Sequence, residues 1–153
     1  MKTWMAVFVF AACASPAGAP AGFEIWTGAQ LKGFSKSLAP KMNAQKVATQ
    51  QLGKWGNHLL MVAHREGPGE AELHEKQADI FVMQSGEATL KVGGTVVNPK
   101  TTAPDEIRGP SIKGGEEKKL GPGDMVHIPA KIPHQLLVDA GKQVTYAVVK
   151  VTE

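Results

Sequence analysis

The sequence predicts an all-β protein, a closed barrel of short strands with one short helix ahead of it. Short apolar runs recur along the chain. Turn-forming clusters separate them at Gly67-Pro68-Gly69, Ser85-Gly86-Glu87, Gly93-Gly94 and Leu120-Gly121-Pro122-Gly123-Asp124. Only one segment combines helical spacing of apolar residues with a start signal. Many short strands, regular Gly/Pro punctuation and one minor helix point to a sandwich or barrel rather than to alternating βα units.

The elements follow in order. Thr27 can cap an amphipathic helix in which Leu31, Phe34 and Leu38 share a face, and Pro40 prevents its simple continuation. Lys46 to Leu52 reads equally as helix or strand. Lys54-Trp55-Gly56-Asn57 is a turn, and His58 to His64 reads as a strand that is apolar on both faces. Asp79 to Gln84 and Ala88 to Val92 are predicted as a hairpin around Ser85-Gly86-Glu87, followed by Thr95-Val96-Val97. Asn98 to Leu120 is the longest stretch without clear core periodicity, with room for a small hairpin around Glu106 to Ile112. A loop of that length is expected to fold over the barrel mouth and contribute to ligand selection, with Ile107 or Ile112 packed inward; a floppy surface excursion, suggested by its Lys and Glu content, is the alternative. Met125 to Ile128, His134 to Val138 and Gln143 to Val151 complete the strands.

Length and composition bound the answer. A chain of 153 residues with 42% hydrophobic and 20% charged residues is an ordinary globular protein with one domain and a real core. The formal charge of +3 is spread along the chain, with Lys and Glu mixed as in Lys113 to Lys119, so a nucleic-acid partner has little support.

Residues 1–22 read as an export signal and linker. Lys2 supplies the charged start, and Trp4 to Ala12 is an apolar stretch too short to span a bilayer. Phe10-Ala11-Ala12-Cys13 resembles a bacterial lipobox with Phe in place of the usual Leu, which would make Cys13 a lipid anchor. Cleavage at a small-x-small site and free secretion is the alternative. The expected location is therefore exported, periplasmic or extracellular, with membrane contact only through a lipid on Cys13. Cys13 is the only cysteine, so disulfides, thiol catalysis and Cys-ligated zinc are excluded from the folded domain. Residues 23–57 are assigned to the N-terminal helix and leading strand, and residues 58–153 to the barrel.

Two segments carry the candidate chemistry. Glu72-Leu73-His74 places a carboxylate and an imidazole two residues apart, on the same face of a strand. Asp79 follows and opens an apolar run. The second segment, Gly123 to His134, delivers another imidazole just past the Pro-framed turn Pro129-Ala130-Lys131-Ile132-Pro133. Glu72, His74, Asp79 and His134 are thus four groups of metal-ligand type.

These segments resemble the two motifs of the cupin superfamily of small β-barrels. The first motif usually reads Gly, five residues, His-x-His, three or four residues, Glu, six residues, Gly. Here Glu72-x-His74 stands for His-x-His, Asp79 for the Glu and Gly86 for the final Gly, while Glu66 falls at the leading Gly with Gly67 beside it. The second motif is met by Gly123, Pro129 and His134, with Lys131 at a usual Gly and Val138 at a usual Asn. The resemblance covers roughly residues 58 to 151. It implies a cupin-like double-stranded β-helix, or jelly-roll barrel, holding one divalent transition metal.

Nitrogen and oxygen donors without sulfur suit Fe, Mn, Zn or Ni. Expected metal ligands are His74, His134, Asp79 and Glu72, with Glu70 or Glu75 as the alternative to Glu72 after a register slip. Glu72 could also detach and act as a base, and His127 is a candidate acid/base or substrate contact, with a hydrogen-bonded structural role as the alternative. His58 and His64 are taken as structural. Arg65 either binds an anionic substrate or is solvated. Phe81 and Met83 share parity with Asp79 and should make the cavity wall apolar.

The functional expectation is a metal-dependent enzyme, of dioxygenase, other oxygenase or isomerase type, acting on a small organic molecule. The alternatives are a non-catalytic small-ligand-binding or sensing module, and a structural barrel without metal. Partners are a small-molecule ligand or substrate, with a homodimer left open.

Overall fold

Among the described residues Thr27 starts the one α-helix, α1 (Gly28–Leu38), through a capping box: its hydroxyl accepts from the Gln30 amide at 3.3 Å and the Gln30 side chain accepts from the Thr27 amide at 2.8 Å. Leu38 is buried against Ala48 and Val62, with Leu31 and Phe34 beside it, so the face expected from the spacing is the face that docks. Pro40 lies in the short 3-10 turn Ala39–Lys41 that ends the helix. The computed structural model describes residues 18–153; the export signal read at Lys2, Trp4 to Ala12 and Cys13 lies outside the described residues.

Thirteen strands follow: β1 (Val47–Trp55), β2 (His58–Arg65), β3 (Ala71–His74), β4 (Gln77–Gly86), β5 (Ala88–Val92), β6 (Thr95–Val97), β7 (Lys100–Ala103), β8 (Glu106–Gly109), β9 (Ser111–Lys113), β10 (Glu116–Leu120), β11 (Met125–Ile128), β12 (His134–Leu137) and β13 (Val144–Thr152). The segment left open between helix and strand is β1, which pairs with β2 along its length around a turn at Gly56-Asn57.

The strands form a five-stranded sheet in the order β1-β2-β13-β4-β11 and a six-stranded sheet in the order β10-β5-β12-β3-β8-β7, with β6-β9 as a separate pair. All pairings are antiparallel. Inward residues of both sheets share one apolar cluster, with Phe81 and Met83 of β4, Leu90 of β5, Leu136 of β12, and Tyr146 and Val148 of β13 among its members. The fold is a cupin-like β-barrel with a short helix, as expected. Among the described residues no helix is long and apolar enough to cross a membrane.

Two local expectations are corrected. β4 and β5 are not a hairpin: β4 pairs with β13 and β11, whereas β5 pairs with β10 and β12 in the other sheet. Gly86 sits where the chain leaves one sheet for the other, at φ 76°, and a Cβ there would collide with the Gln143 carbonyl. Residues 98 to 120, in turn, are not a structureless loop but contain β7 to β10. Ile112 packs inward against Ala71 and Val96, while β7 and β8 extend the six-stranded sheet at its edge.

The corner generates a test. Gly86→Ala combines left-handed backbone with a collision against main chain, so it should cost about 2 kcal/mol or more in urea unfolding. Gly121→Ala, where nothing lies within 4 Å of the added methyl, should stay close to wild type.

Candidate metal centre

The register of two strand pairs builds the site. On β3, Glu72 lies opposite His134 of β12 on one side and Arg108 of β8 on the other. On the facing sheet, Asp79 of β4 lies opposite Lys150 of β13. Residues directly opposite on neighbouring strands bring their side chains within reach of each other. Glu72 and His74 share a face, as their spacing required, with Glu72 Oε2 3.6 Å from His74 Nε2. Asp79 Oδ2 is 3.4 Å from His74 Nε2 and 3.5 Å from His134 Nε2. The four expected ligands therefore meet in one place, where the sheets face each other.

Within that group, Glu72, His74 and His134 each offer one ligand atom, and these atoms lie within 4.8 Å of one another. His134 is oriented for such a role. Its Nδ1 lies 3.1 Å from the Ile132 carbonyl, which can only accept, so Nδ1 carries a proton and the neutral form of the ring presents its lone pair at Nε2. Among the described residues, His134 Nε2 is the one buried side-chain polar atom without a hydrogen-bond partner. A buried acceptor with nothing to accept from fits a position meant for a cation. The donor set and this orphaned nitrogen therefore fit a divalent metal.

A cation of the chain's own stands beside the same atoms. Lys150 Nζ is 2.9 Å from each oxygen of Asp79 and 2.8 Å from His74 Nε2. This residue was missed at the sequence level; only its parity with Tyr146 and Val148 on β13 hinted that it points inward.

The charges are strongly coupled. Burial alone would raise the Glu72 carboxyl, but His74, Arg108, His134 and Arg65 together hold it down at about 2. Burial opposes ionisation of Asp79 as well, and His134, His74 and Lys150 hold that carboxylate far below its ordinary range. Burial disfavours a charged His74, yet Asp79 and Glu72 outweigh it and push the imidazole up to about 9, with Lys150 pulling the other way. At 2.8 Å only one proton can lie between Lys150 Nζ and His74 Nε2, so one of the two donates and the other accepts.

A second layer fixes Glu72. Its Oε1 accepts from Arg108 Nη1 at 3.1 Å and from Arg65 Nη2 at 3.4 Å. Arg65 Nε donates to the Tyr146 hydroxyl at 2.9 Å, and Arg108 Nε is held by Glu106. Glu72 thus presents Oε2, and not Oε1, toward His74. Arg65 proves buried, not solvated. Arg108 was missed because it lies in the charged stretch read as a loop.

A cavity of about 270 Å³ opens beside these groups. Its polar wall includes Glu72, Asp79, His134, Arg65, Arg108 and Lys150, and Met61, Phe81, Leu136 and Val148 supply apolar surface. Phe81 lines it as expected, whereas Met83 packs in the apolar cluster and is not among the lining residues. His127 is not brought to the cavity. It is exposed on β11 with Met125, because Val126 and Ile128 take the core-facing parity. His64 is fully buried on the opposite face of β2 from the cavity-lining Ala63 and Arg65, bonded to Thr145 at 2.9 Å. His58 stacks on Trp55.

Solved structures share this architecture. TT1209 from Thermus thermophilus aligns with TM-score 0.55 at 21% identity, over 76% of this chain and 92% of that one. The polyketide cyclase RemF from Streptomyces resistomycificus aligns with TM-score 0.51 at 17% identity, over 73% and 69%. The DMSP lyase DddQ from Ruegeria pomeroyi DSS-3 aligns with TM-score 0.51 at 17% identity, over 78% of this chain and 54% of that one. These are proteins of the cupin-type fold, and at such identities the likeness is one of fold alone. The chain matches no protein-family model and no curated protein.

The depressed Glu72 carboxyl has a pH consequence. A group whose folded value lies below its unfolded one adds stability above the unfolded value, near 4.5, and loses it as pH falls toward about 2. In metal-free protein the wild type should therefore lose roughly 3 kcal/mol more than Glu72→Gln between pH 6 and pH 2. Urea unfolding of both proteins across that range checks it, and parallel losses would refute it.

Proposed function

We propose that this chain is a metal-dependent enzyme acting on a small organic molecule, with Glu72, His74 and His134 as the metal-holding residues and Asp79 as a further carboxylate beside them. The observation that carries the reading is the buried, partnerless Nε2 of His134, facing a histidine and a carboxylate whose donor atoms lie within 4.8 Å. When bound, a divalent ion supplies Lewis acidity, polarising a substrate oxygen or activating water or dioxygen.

The chain's own residues divide the remaining work. Glu72 is a ligand rather than a base: a carboxylate held at about 2, with Oε1 gripped by two guanidiniums, is a weak proton acceptor. Lys150 Nζ, which lines the cavity and bonds Asp79, is the group placed to hold or pass a proton at a substrate oxygen. The apolar side of the cavity excludes water from the organic part of the substrate. Between the expected reaction types, isomerisation makes direct use of such a proton carrier, and oxygenation does not require one. RemF, a polyketide cyclase, and DddQ, a DMSP lyase, support a small molecule as the partner.

One observation favours a second reading, a ligand-binding barrel that works without metal. The Lys150 amine already bonds Asp79 and His74. The two readings separate on metal content. Protein purified without added metal should carry about one transition metal per chain, and His74→Ala or His134→Ala should lose it, since each removes a nitrogen that would bind the ion. Lys150→Met should bind the ion about tenfold tighter or more, because a cation next to the ligands is gone. Elemental analysis and calorimetry read both. Full metal content in the double His variant refutes the assignment.

We also propose that the protein is exported, on the strength of Lys2, the apolar Trp4 to Ala12 stretch and Cys13. Mass spectrometry of protein from its native host should show residues 1–12 removed, with a lipid on Cys13 if it is anchored. An intact leading segment would contradict export.

A further inference from the structure

Arg65 is short of negative charge. It is buried, at 9% exposure, yet among the described residues the only carboxylate within ion-pair distance of it is Glu72, at 3.4 Å. Its other bond goes to Tyr146, a neutral phenol. Glu72 is itself divided: the same Oε1 serves Arg108, and the carboxylate also faces His74. A guanidinium taken out of water at this depth is normally matched by an anion of its own. If Glu72 also gives charge to a metal ion, Arg65 is left with less still.

The cavity wall offers no carboxylate to spare. Of its three, Glu70 and Glu72 lie against Arg108, which Glu106 also bonds, and Asp79 lies against Lys150. Arg65 and Arg108 each keep guanidinium N–H groups that their protein bonds do not use, and both line the cavity. Facing them is the apolar surface of Met61, Phe81, Leu136 and Val148. The volume of about 270 Å³ equals roughly nine waters at their liquid volume, so it takes a compact molecule.

We propose that this cavity binds the carboxylate of a small, partly apolar organic acid, with Arg65 and Arg108 as the residues that recognise the anion. This names the substrate class of the site described above and rests on that reading for its catalytic meaning, though the binding itself needs only the two arginines. A planar carboxylate matches the fork of a guanidinium, and the ligand's apolar body would lie on the aromatic and aliphatic wall.

The test uses benzoate and its neutral counterpart benzamide as probes, with inorganic phosphate as a third, in calorimetry on the full folded protein with and without one equivalent of Zn2+. Benzoate should bind about tenfold tighter than benzamide or more, as expected for a charge-assisted pair against a neutral one. Arg65→Gln should abolish that preference and leave benzamide unchanged. Should that buried substitution prevent folding, Arg108→Gln, at a more exposed position, should reduce the preference in the same direction. Benzoate binding no tighter than benzamide, absence of binding included, overturns the proposal, as does tighter binding of phosphate or an unchanged preference in the folded arginine variants. The metal reading fails separately: no heat from Zn2+ alongside a preserved benzoate preference sinks the metal and leaves the acid subsite standing.

Discussion

The pairing of two buried carboxylates, Glu72 and Asp79, with cations from neighbouring strands is the constraint on which the site depends. Each carboxylate sits where burial penalises its charge, and each stays ionised through the groups around it: His74, and then Arg108 directly opposite on β8, for Glu72; His134, His74, and then Lys150 directly opposite on β13, for Asp79. A slip of one residue in β3 or β4 would turn these groups to the other face and leave their partners unmatched in the interior. Register, charge balance and ligand geometry are therefore one condition met together. His74 and His134 then complete the group from the same six-stranded sheet, and Asp79 closes it from the other.

Such a network is a poor device for stability. Buried ion pairs seldom repay their desolvation when compared with apolar side chains of the same volume. Elsewhere the barrel uses the cheaper solution, filling the space between the sheets with Met83, Leu90, Ile128, Val144 and Val148. The polar cluster is confined to one region and adjoins a cavity instead of being packed solid. Polar groups held together beside open space, with a histidine nitrogen left unbonded, are arranged for something that comes from outside the chain.

Much of this was legible in the sequence where the signal was local. The two-residue spacing of Glu72 and His74, the Pro-framed turn before His134, the Thr27 cap and the Gly/Pro punctuation each depend on near neighbours along the chain. What escaped depended on pairing across the fold. Two strands flanking Ser85-Gly86-Glu87 look alike whether they pair with each other or turn a corner into another sheet, and only long-range partners decide. Lys150 reads as one polar residue in a C-terminal strand until β13 is set against β4. Arg108 reads as one charge among many until β8 is set against β3. His127 shows the converse: its parity was readable from Val126 and Ile128, and that parity takes it to the outside of the sheet.

Lys150 also changes what metal binding would mean here. An ion entering between Glu72, His74 and His134 would need the lone pair of His74 that Lys150 Nζ now contacts. The net affinity is the ligand-bond energy less the loss of that contact and the repulsion from the ammonium, which remains tied to Asp79 by two further contacts. Ions higher in the divalent affinity order for nitrogen donors offset more of that loss. A tethered cation beside the ligands thus raises the threshold for occupancy.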